Sequence, residues 1–422
     1  MIKKSFLLNL GKFKQQLAVG LLLYTALSIS SLVSFGHFRL WETFTYPSYG
    51  GLMLLLTLAG LSSMWLSIHW AKHPHTNGLL ASIWALVLPF SGLAAMFFIF
   101  GWWYSRPFFF IFFTILFIGV FIYQIIRNKR VIRVASTSPE VTEVLEAAVQ
   151  WATNARKIKI TSVDNPDSFD IVVTDLRHNP SSIPAHLLSN LAAEGKQVVD
   201  VTSFIEELTG KVDISSLSEE AEYLLRPKGY IGIKRIWETA VIILTAPMWL
   251  LLALVVAILV RIDSRGPIIF KQRRIGLYGV PFDMFKFRSM HVNSEANGPS
   301  FAQVGDKRIT RVGAILRKFR LDEIPQLWNV LKGEMSLIGP RPEQEVFVTK
   351  FSQEIPFFET RHFVRPGLTG WAQVMLGYTA DSSGAKEKLA YDLYYIKNFS
   401  FWLDLLIILK TLLVIFRGFG AR

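Results

Sequence analysis

Four apolar runs, each about 20 residues long, fill the first third of the 422-residue chain: residues 15–35, 49–70, 79–100 and 107–126. At a helical rise of about 1.5 Å per residue, such a run matches a hydrocarbon core of about 30 Å. Inside lipid every backbone N–H and C=O must find its partner within the protein, so isolated runs of this kind fold as helices. The spacing predicts a four-helix transmembrane bundle over residues 1–128. Lys3, Lys4, Lys12 and Lys14 precede the first run, as they would in a secretory leader. Three more runs follow and no small-residue cleavage site stands out, so the first run is expected to be an anchor. Lys72 lies between runs two and three, and Arg127, Lys129, Arg130 and Arg133 follow run four, whereas the other connections carry only Arg39 and Arg106. That asymmetry puts both ends of the bundle, and the chain beyond it, on the cytoplasmic side.

Residues 129–227 change character. Short β-prone stretches at 131–135, 171–173 and 197–201 alternate with helical patterns at 139–153, 184–194 and 202–209. Such alternation predicts a small parallel α/β, Rossmann-like cytoplasmic module. The turn after its first strand, Ala135 to Pro139, holds no glycine. Dinucleotide binding is therefore not expected, and a structural or dimerising role is.

Residues 228–422 are expected to form an α-rich catalytic domain entered through another apolar helix, about 231–260. Lys228, Lys234 and Arg235 precede it, and Arg261, Arg265, Lys271, Arg273 and Arg274 follow. A crossing would leave one cluster on the wrong side. Pro247 removes a backbone donor early in the run and predicts a bend at Ala246-Pro247, so that the helix re-enters the leaflet it came from. A fifth span is the alternative. Residues 399–416 are apolar but interrupted by Asp404 and Lys410, which suits a helix lying in the membrane interface or packed in a core.

The chain has no cysteine, which excludes disulfides, thiolate nucleophiles and Cys-ligated zinc. Its net charge of +13, beside so much membrane-type sequence, points to anionic lipid head groups and phosphorylated substrates rather than nucleic acid. Asp322 and Glu323 stand together among Lys307, Arg308, Arg311, Arg317, Lys318, Arg320, Lys332 and Arg341. An acidic pair in a basic pocket suits chemistry on phosphate: the cations gather the anion, one carboxylate attacks, and the other holds a metal. Asp322 also fits a helix N-cap, and both roles are compatible because helix N-termini favour phosphate. Arg341, between two prolines, fits either a fixed guanidinium fork for phosphate or a structural ion pair. His69, His73 and His75 have plausible ligand spacing but no acidic neighbours, so no metal is expected there.

From about Gly229 onward the motifs come in an order that resembles one family. They are Arg261-Ile-Asp263-Ser-Arg-Gly266-Pro267, Gln272-Arg273-Arg274-Ile-Gly276, Lys286-Phe-Arg288-Ser-Met290, Thr310-Arg311-Val-Gly313, Leu321-Asp322-Glu323-Ile-Pro325-Gln326-Leu327, Met335-Ser336-Leu-Ile-Gly339-Pro340-Arg341-Pro342-Glu343, Val364-Arg365-Pro366-Gly367 through Gly370-Trp371-Ala-Gln373-Val374, and Tyr391-Asp392-Leu-Tyr394-Tyr395. This set resembles the bacterial sugar transferases, monotopic phosphoglycosyltransferases of the bacterial inner membrane, and the four spans with an α/β module resemble their large subgroup. The resemblance implies transfer of a sugar 1-phosphate from a nucleotide-diphosphate sugar, a UDP-hexose at family level, to undecaprenyl phosphate, which starts exopolysaccharide or other glycan assembly. It further implies Mg²⁺, an aspartyl phosphosugar intermediate on Asp322, and Glu323 as metal ligand. Lys286, Arg317, Arg341 and Arg365 are implied phosphate contacts, with bracing of its loop the alternative for Arg365, and Asp392 is implied as an acidic position near Mg²⁺ or the nucleotide, with a structural role the alternative. A homodimer is a candidate assembly. After Val374 the sequence departs from the commoner Asn-Gly-Arg continuation and reads Met375-Leu-Gly377-Tyr378-Thr-Ala-Asp381, which leaves the sugar open. Two rivals stand beside this expectation: direct transfer in a ternary complex, and a non-catalytic membrane scaffold.

Overall fold

The computed structural model describes residues 22–23, 25–30, 47–70, 78–101, 105–128, 131–151, 158–162, 168–176, 189–191, 193–194, 196–217, 229–292, 306, 308–376 and 382–417. They fall into two compact units, residues 1–210 and 211–422.

The first unit holds three long helices, α1 (Pro47–Trp70), α2 (Gly78–Phe100) and α3 (Arg106–Asn128), preceded by helical residues at 22–23 and 25–30. They share one core in which Leu56, Leu86, Phe90, Phe112 and Leu116 are buried. Phe90 meets the edge of Phe109 at 5.8 Å between ring centroids, a favoured aromatic geometry. Hydroxyls stay inside these apolar helices by bonding back one turn, as Ser63 does to the Ala59 carbonyl at 2.7 Å. Within α2, Ile83–Phe100 has the length and hydropathy to cross a membrane, while α1 and α3 hold the shorter apolar stretches Gly51–Ser67 and Arg106–Ile122. The run expected at 15–35 lies mostly outside the described residues, as do His73 and His75.

The α/β part follows: β1 (Ile132–Ser136), α4 (Pro139–Trp151), β2 (Ile158–Ser162), β3 (Ile171–Thr174), β4 (Gln197–Asp200) and α5 (Val201–Thr209). All strand pairings are parallel, in the order β2-β1-β3-β4. Val134, Val173 and Val201 pack with Leu145 of α4 in the hydrophobic layer between sheet and helices. β2 was not anticipated. Among the described residues it is an edge strand paired with β1 alone, and its Ile-Lys-Ile-Thr sequence reads as polar because Lys159 is exposed. The helix expected at 184–194 falls largely outside the described residues.

In the second unit, residues 211–217 lie along α12 (Ser382–Lys397), joined by the Val212 N–H to the Ala390 carbonyl (3.0 Å) and by a Lys211–Glu387 ion pair. The apolar hairpin comes next: α6 (Tyr230–Leu244) and α7 (Ala246–Asp263), separated at Thr245. Pro247 occupies the first turn of α7, where its missing N–H costs nothing, and so the break lies just ahead of the proline. The Ile242 carbonyl is recovered locally, because the Trp249 indole N–H reaches back to it at 3.0 Å. Val241 O keeps its bond from the Thr245 N–H (3.0 Å) and also accepts from the Thr245 hydroxyl at 2.7 Å. α7 is long and apolar enough to cross a membrane, and only 11% of that stretch is buried within the protein. Leu244, Met248, Leu251 and Ile262 stand exposed along the pair.

The rest of the unit is a compact support. β5 (Ile269–Ile275) and β6 (Pro281–Phe287) form an antiparallel hairpin. After it come α8 (Arg311–Lys318), α9 (Gln326–Lys332), β7 (Ser336–Ile338), α10 (Glu345–Glu354), β8 (Gly367–Thr369), α11 (Trp371–Leu376), α12 and α13 (Phe401–Arg417). β7 and β8 are parallel and so close that a Cβ on Gly367 would sit 2.1 Å from the Gly339 nitrogen, which requires glycine there. α6 is locked to this support by buried charge. Lys234 of α6 lies 2.9 Å from Glu238 and 2.5 Å from Asp404 of α13. Glu238 also accepts from the Ser336 hydroxyl (2.7 Å) and the Leu337 N–H (3.1 Å), and Asp404 accepts from Tyr230 (3.0 Å) and Tyr395 (2.8 Å).

Candidate active site

The acid pair sits in a short 3₁₀ turn, Leu321–Glu323, between α8 and α9. Three local features fix that turn. Thr310 caps α8, its hydroxyl accepting from the Gly313 N–H at 2.9 Å. Asp263, at the end of α7, accepts from the Val312 N–H at 3.1 Å and so ties α8 to the apolar hairpin. Arg320 then takes a left-handed conformation (φ 55°), which reverses the chain and delivers Asp322 and Glu323. α9 starts at Gln326 behind Pro325 and has no side-chain cap, so Asp322 does not cap a helix. Asn329 anchors α9 to β6: its carbonyl accepts from the Phe285 N–H at 3.0 Å, and its amide donates to Asp283 O at 2.7 Å.

Glu323 is buried and surrounded by cations. Arg341 donates to its Oε1 at 2.9 Å, Arg320 is 3.7 Å away and Lys286 is 3.9 Å away. Arg341 comes from the turn after β7, whose backbone is held by Arg361 donating to Arg341 O at 2.9 Å. These charges separate the two acids. Burial pushes Asp322 up to about 6, helped by the negative charge of Glu323 and opposed by Lys286, Arg317 and Arg341. Burial also raises Glu323, but Arg341, Lys286 and Arg320 outweigh it and hold that carboxyl at about 2. Near neutrality Glu323 is a fixed anion, and Asp322 is a desolvated carboxylate just above its titration point.

The structure thus brings Lys286, Arg317 and Arg341 together around Asp322 and Glu323. It gives Arg365 another neighbourhood, where its Nε donates to Gly333 O at 2.8 Å at the end of α9. Asp392 is fully buried in a second ionic cluster and accepts from Arg361 at 2.9 Å. Burial raises the Asp392 carboxyl, with Arg361 and Lys388 opposing. In the same cluster Glu343 is held at about 2, because Lys388, Arg361 and Arg274 overcome its burial. The two clusters meet at Arg361, which bonds both Asp392 and the Arg341 backbone. Asp392 is thus connected to the acid pair through Arg361 and the Arg341 backbone.

Sequence reasoning counted Arg320 only among the surrounding cations and assigned no role to Asn329, Arg361 or Lys388. Arg320 stands three residues before Glu323, a spacing that pairs side chains on a helix, and this was the only signal it gave. Among the described residues no group of three or more acids or histidines is placed to hold a metal. The pair itself suits a hard divalent cation: Mg²⁺ takes one or two carboxylates and fills its shell with substrate oxygens and water, and Asp322 is in need of positive charge.

The family model described as bacterial sugar transferase matches residues 230–418, which hold the apolar hairpin and both ionic clusters. The chain is 47% identical over 266 residues to the UDP-N-acetylgalactosamine-undecaprenyl-phosphate N-acetylgalactosaminephosphotransferase of Aeromonas hydrophila, covering 62% of this chain and 63% of that protein. It is 42% identical over 180 residues to the UDP-glucose:undecaprenyl-phosphate glucose-1-phosphate transferase of Caulobacter vibrioides, covering 42% of this chain and 67% of the relative. A third relative, the exopolysaccharide production protein PSS of Rhizobium leguminosarum bv. phaseoli, is 42% identical over 164 residues, or 37% of this chain and 82% of the relative. The match spans less than two thirds of the Aeromonas protein and 34% of a glucose-1-phosphate transferase from Xanthomonas campestris. With the acid pair, its cations and the hairpin all inside the matched segment, the chain belongs to the bacterial sugar transferase family.

Proposed function

We propose that this chain is a membrane-embedded enzyme that moves a sugar 1-phosphate from a UDP-sugar to undecaprenyl phosphate, through a phosphosugar ester on Asp322, and so begins exopolysaccharide or other glycan assembly. The observation that carries this is the unequal acid pair: a desolvated Asp322 poised near 6 beside a Glu323 fixed as an anion by Arg341, Lys286 and Arg320. In the first step a carboxylate oxygen of Asp322 attacks the phosphorus that bears the sugar, the P–O bond to the nucleoside monophosphate breaks, and UMP leaves. In the second step a phosphate oxygen of the lipid attacks the same phosphorus and the carboxylate leaves, regenerating Asp322. An anion attacking a diphosphate is slow unless charge is neutralised in advance; Lys286, Arg317 and Arg341, gathered before substrate arrives, supply that field without reorganising. Glu323 is the residue that would hold Mg²⁺, and a bound Mg²⁺ would supply further neutralisation of the diphosphate. Asp392 supports the site through Arg361 and Arg341.

The same reading places the enzyme in the bacterial inner membrane with the site on the cytoplasmic face. Residues 1–128 form a four-span bundle, followed by a Rossmann-like module. The α6–α7 hairpin, broken at Thr245, dips into the leaflet and returns. A site beside such a hairpin meets a soluble donor from one side and a phosphate carried on a lipid tail from the other. The relatives' names support UDP-glucose and UDP-N-acetylgalactosamine as donors to try.

The test is transfer by the full chain in lipid nanodiscs, supplied with Mg²⁺, undecaprenyl phosphate and each UDP-sugar. UMP and lipid-linked sugar diphosphate should appear in equal amounts. Release of UDP would mean ordinary glycosyl transfer and would overturn the assignment. The rate should also depend on pH with a fixed sign. Asp322 attacks only when ionised, so single-turnover adduct formation falls about tenfold per unit below about pH 6 and levels off above it. A profile flat from pH 5 to 8 would separate Asp322 from the chemistry.

A further inference from the structure

Arg288 is 6% exposed, yet among the described residues two of its three guanidinium nitrogens have no partner. Its Nη2 donates to Ser264 O (2.6 Å) and Ser264 Oγ (2.7 Å), whereas Nε and Nη1 donate to nothing. Among the described residues no carboxylate stands within ion-pair distance of it. A buried guanidinium without a counter-charge is unfavourable unless an anion completes it. Its surroundings are built to leave it free. Gly266 has φ 127°, and a Cβ there would lie 2.4 Å from Arg288 Nη1. A second guanidinium, that of Arg261, holds the same turn by donating to Gly266 O at 2.9 Å.

The position is as informative as the missing partner. Ser264 terminates α7, so this turn is where the apolar hairpin ends and the polar domain begins. Arg288 continues the β5–β6 ladder, its N–H donating to Ile268 O at 2.9 Å. Strand alternation therefore puts it on the same face as Lys286, whose ammonium is 3.9 Å from Glu323. Two residues of strand span about 7 Å. Arg288 thus lies between the end of the apolar hairpin and the acid pair.

We propose that Arg288, oriented by Ser264 and flanked by Arg261, receives the phosphate monoester of the lipid acceptor. This rests on the transferase reading above, because it concerns the second substrate of that reaction. The ligand chemistry is a phosphate monoester on an apolar tail: the planar fork takes two of its oxygens, and the tail lies along the exposed apolar side of α7.

The experiment compares the full chain with Arg288→Lys, which keeps charge but loses the fork, and with Arg288→Met. Binding is read by thermal shift and native mass spectrometry in detergent with a fifteen-carbon prenyl phosphate, phosphatidylglycerol or inorganic phosphate as probe. Prenyl phosphate should bind the parent and stabilise it, with affinity reduced about tenfold or more in Arg288→Lys. In the same variant, donor-driven adduct formation should persist while the acceptor KM rises. Equal prenyl phosphate binding in parent and Arg288→Lys would overturn the proposal even if Arg288→Met fails to fold. An equal loss of phosphatidylglycerol binding would make the site a general lipid contact, and full saturation by inorganic phosphate would make it a free-anion site; either outcome overturns the acceptor assignment. Binding is measured without turnover, so failure of the transferase reading itself would show separately, as absence of adduct in the parent.

Discussion

Asp322→Asn should abolish transfer and leave a protein at least as stable as its parent. Loss of a covalent nucleophile costs on the order of 10⁴- to 10⁶-fold in turnover where the remaining groups stay in place, and the near-isosteric amide leaves Arg341, Lys286 and Glu323 undisturbed. The stability half of the prediction follows from charge. Asp322 has a folded value near 6, above that of a free carboxyl, because burial and Glu323 disfavour its anion. A raised acid contributes stability that is fully present below its unfolded value and is lost as pH rises through about 4 to 6. At pH 7.5 the parent carries the disfavoured anion and the asparagine variant does not. The variant's melting temperature should therefore equal or exceed the parent's at pH 7.5, with the difference shrinking towards pH 4. A variant that is inactive and much less stable would show that Asp322 acts in the fold rather than in the chemistry.

Lys234→Met should do the opposite: it damages the fold first. Lys234 is 5% exposed and is the cation facing both Glu238 and Asp404. Its removal leaves two buried carboxylates beside each other. Breaking a buried ion pair from one side costs about 3–5 kcal/mol. For a unit of this size that is a fall of roughly 6–20 °C in apparent melting temperature, measured in detergent. The triple variant Lys234→Met, Glu238→Gln, Asp404→Asn should recover much of the loss, since no uncompensated charge remains. Equal melting of parent and single variant would show that these groups are reached by water and do not lock α6 to α13.

These two sites were legible in the sequence to different degrees, for physical reasons. The acid pair was visible because its neighbours are close along the chain: Arg317 and Arg341 fall within twenty residues, and Lys286 sits in an alternating strand motif. The hairpin break was visible because proline cannot continue a helix, and it was misplaced only slightly, since Pro247 belongs to the turn after the break. The lock was not visible. Lys234 read as a flanking charge and Asp404 as an interruption in an apolar helix, and the 170 residues between them hid their contact. Arg320 was counted among the cations, but the chain reversal it makes was hidden, because a left-handed backbone at an arginine leaves no composition signal. The edge strand β2 was missed because its wet face carries lysine. For Asp392 and Arg365 the motifs left a contact with substrate or metal and a supporting role both open; in the structure their partners are Arg361 and the Gly333 carbonyl.

The most direct measurement is intact-protein mass spectrometry of the detergent-purified chain, incubated with Mg²⁺ and a UDP-sugar in the absence of lipid. A mass increase equal to one sugar phosphate, present in the parent and absent in Asp322→Asn, is the predicted result. No adduct from any donor, in protein that still makes lipid-linked product once undecaprenyl phosphate is added, would mean direct transfer and would contradict the role given to Asp322.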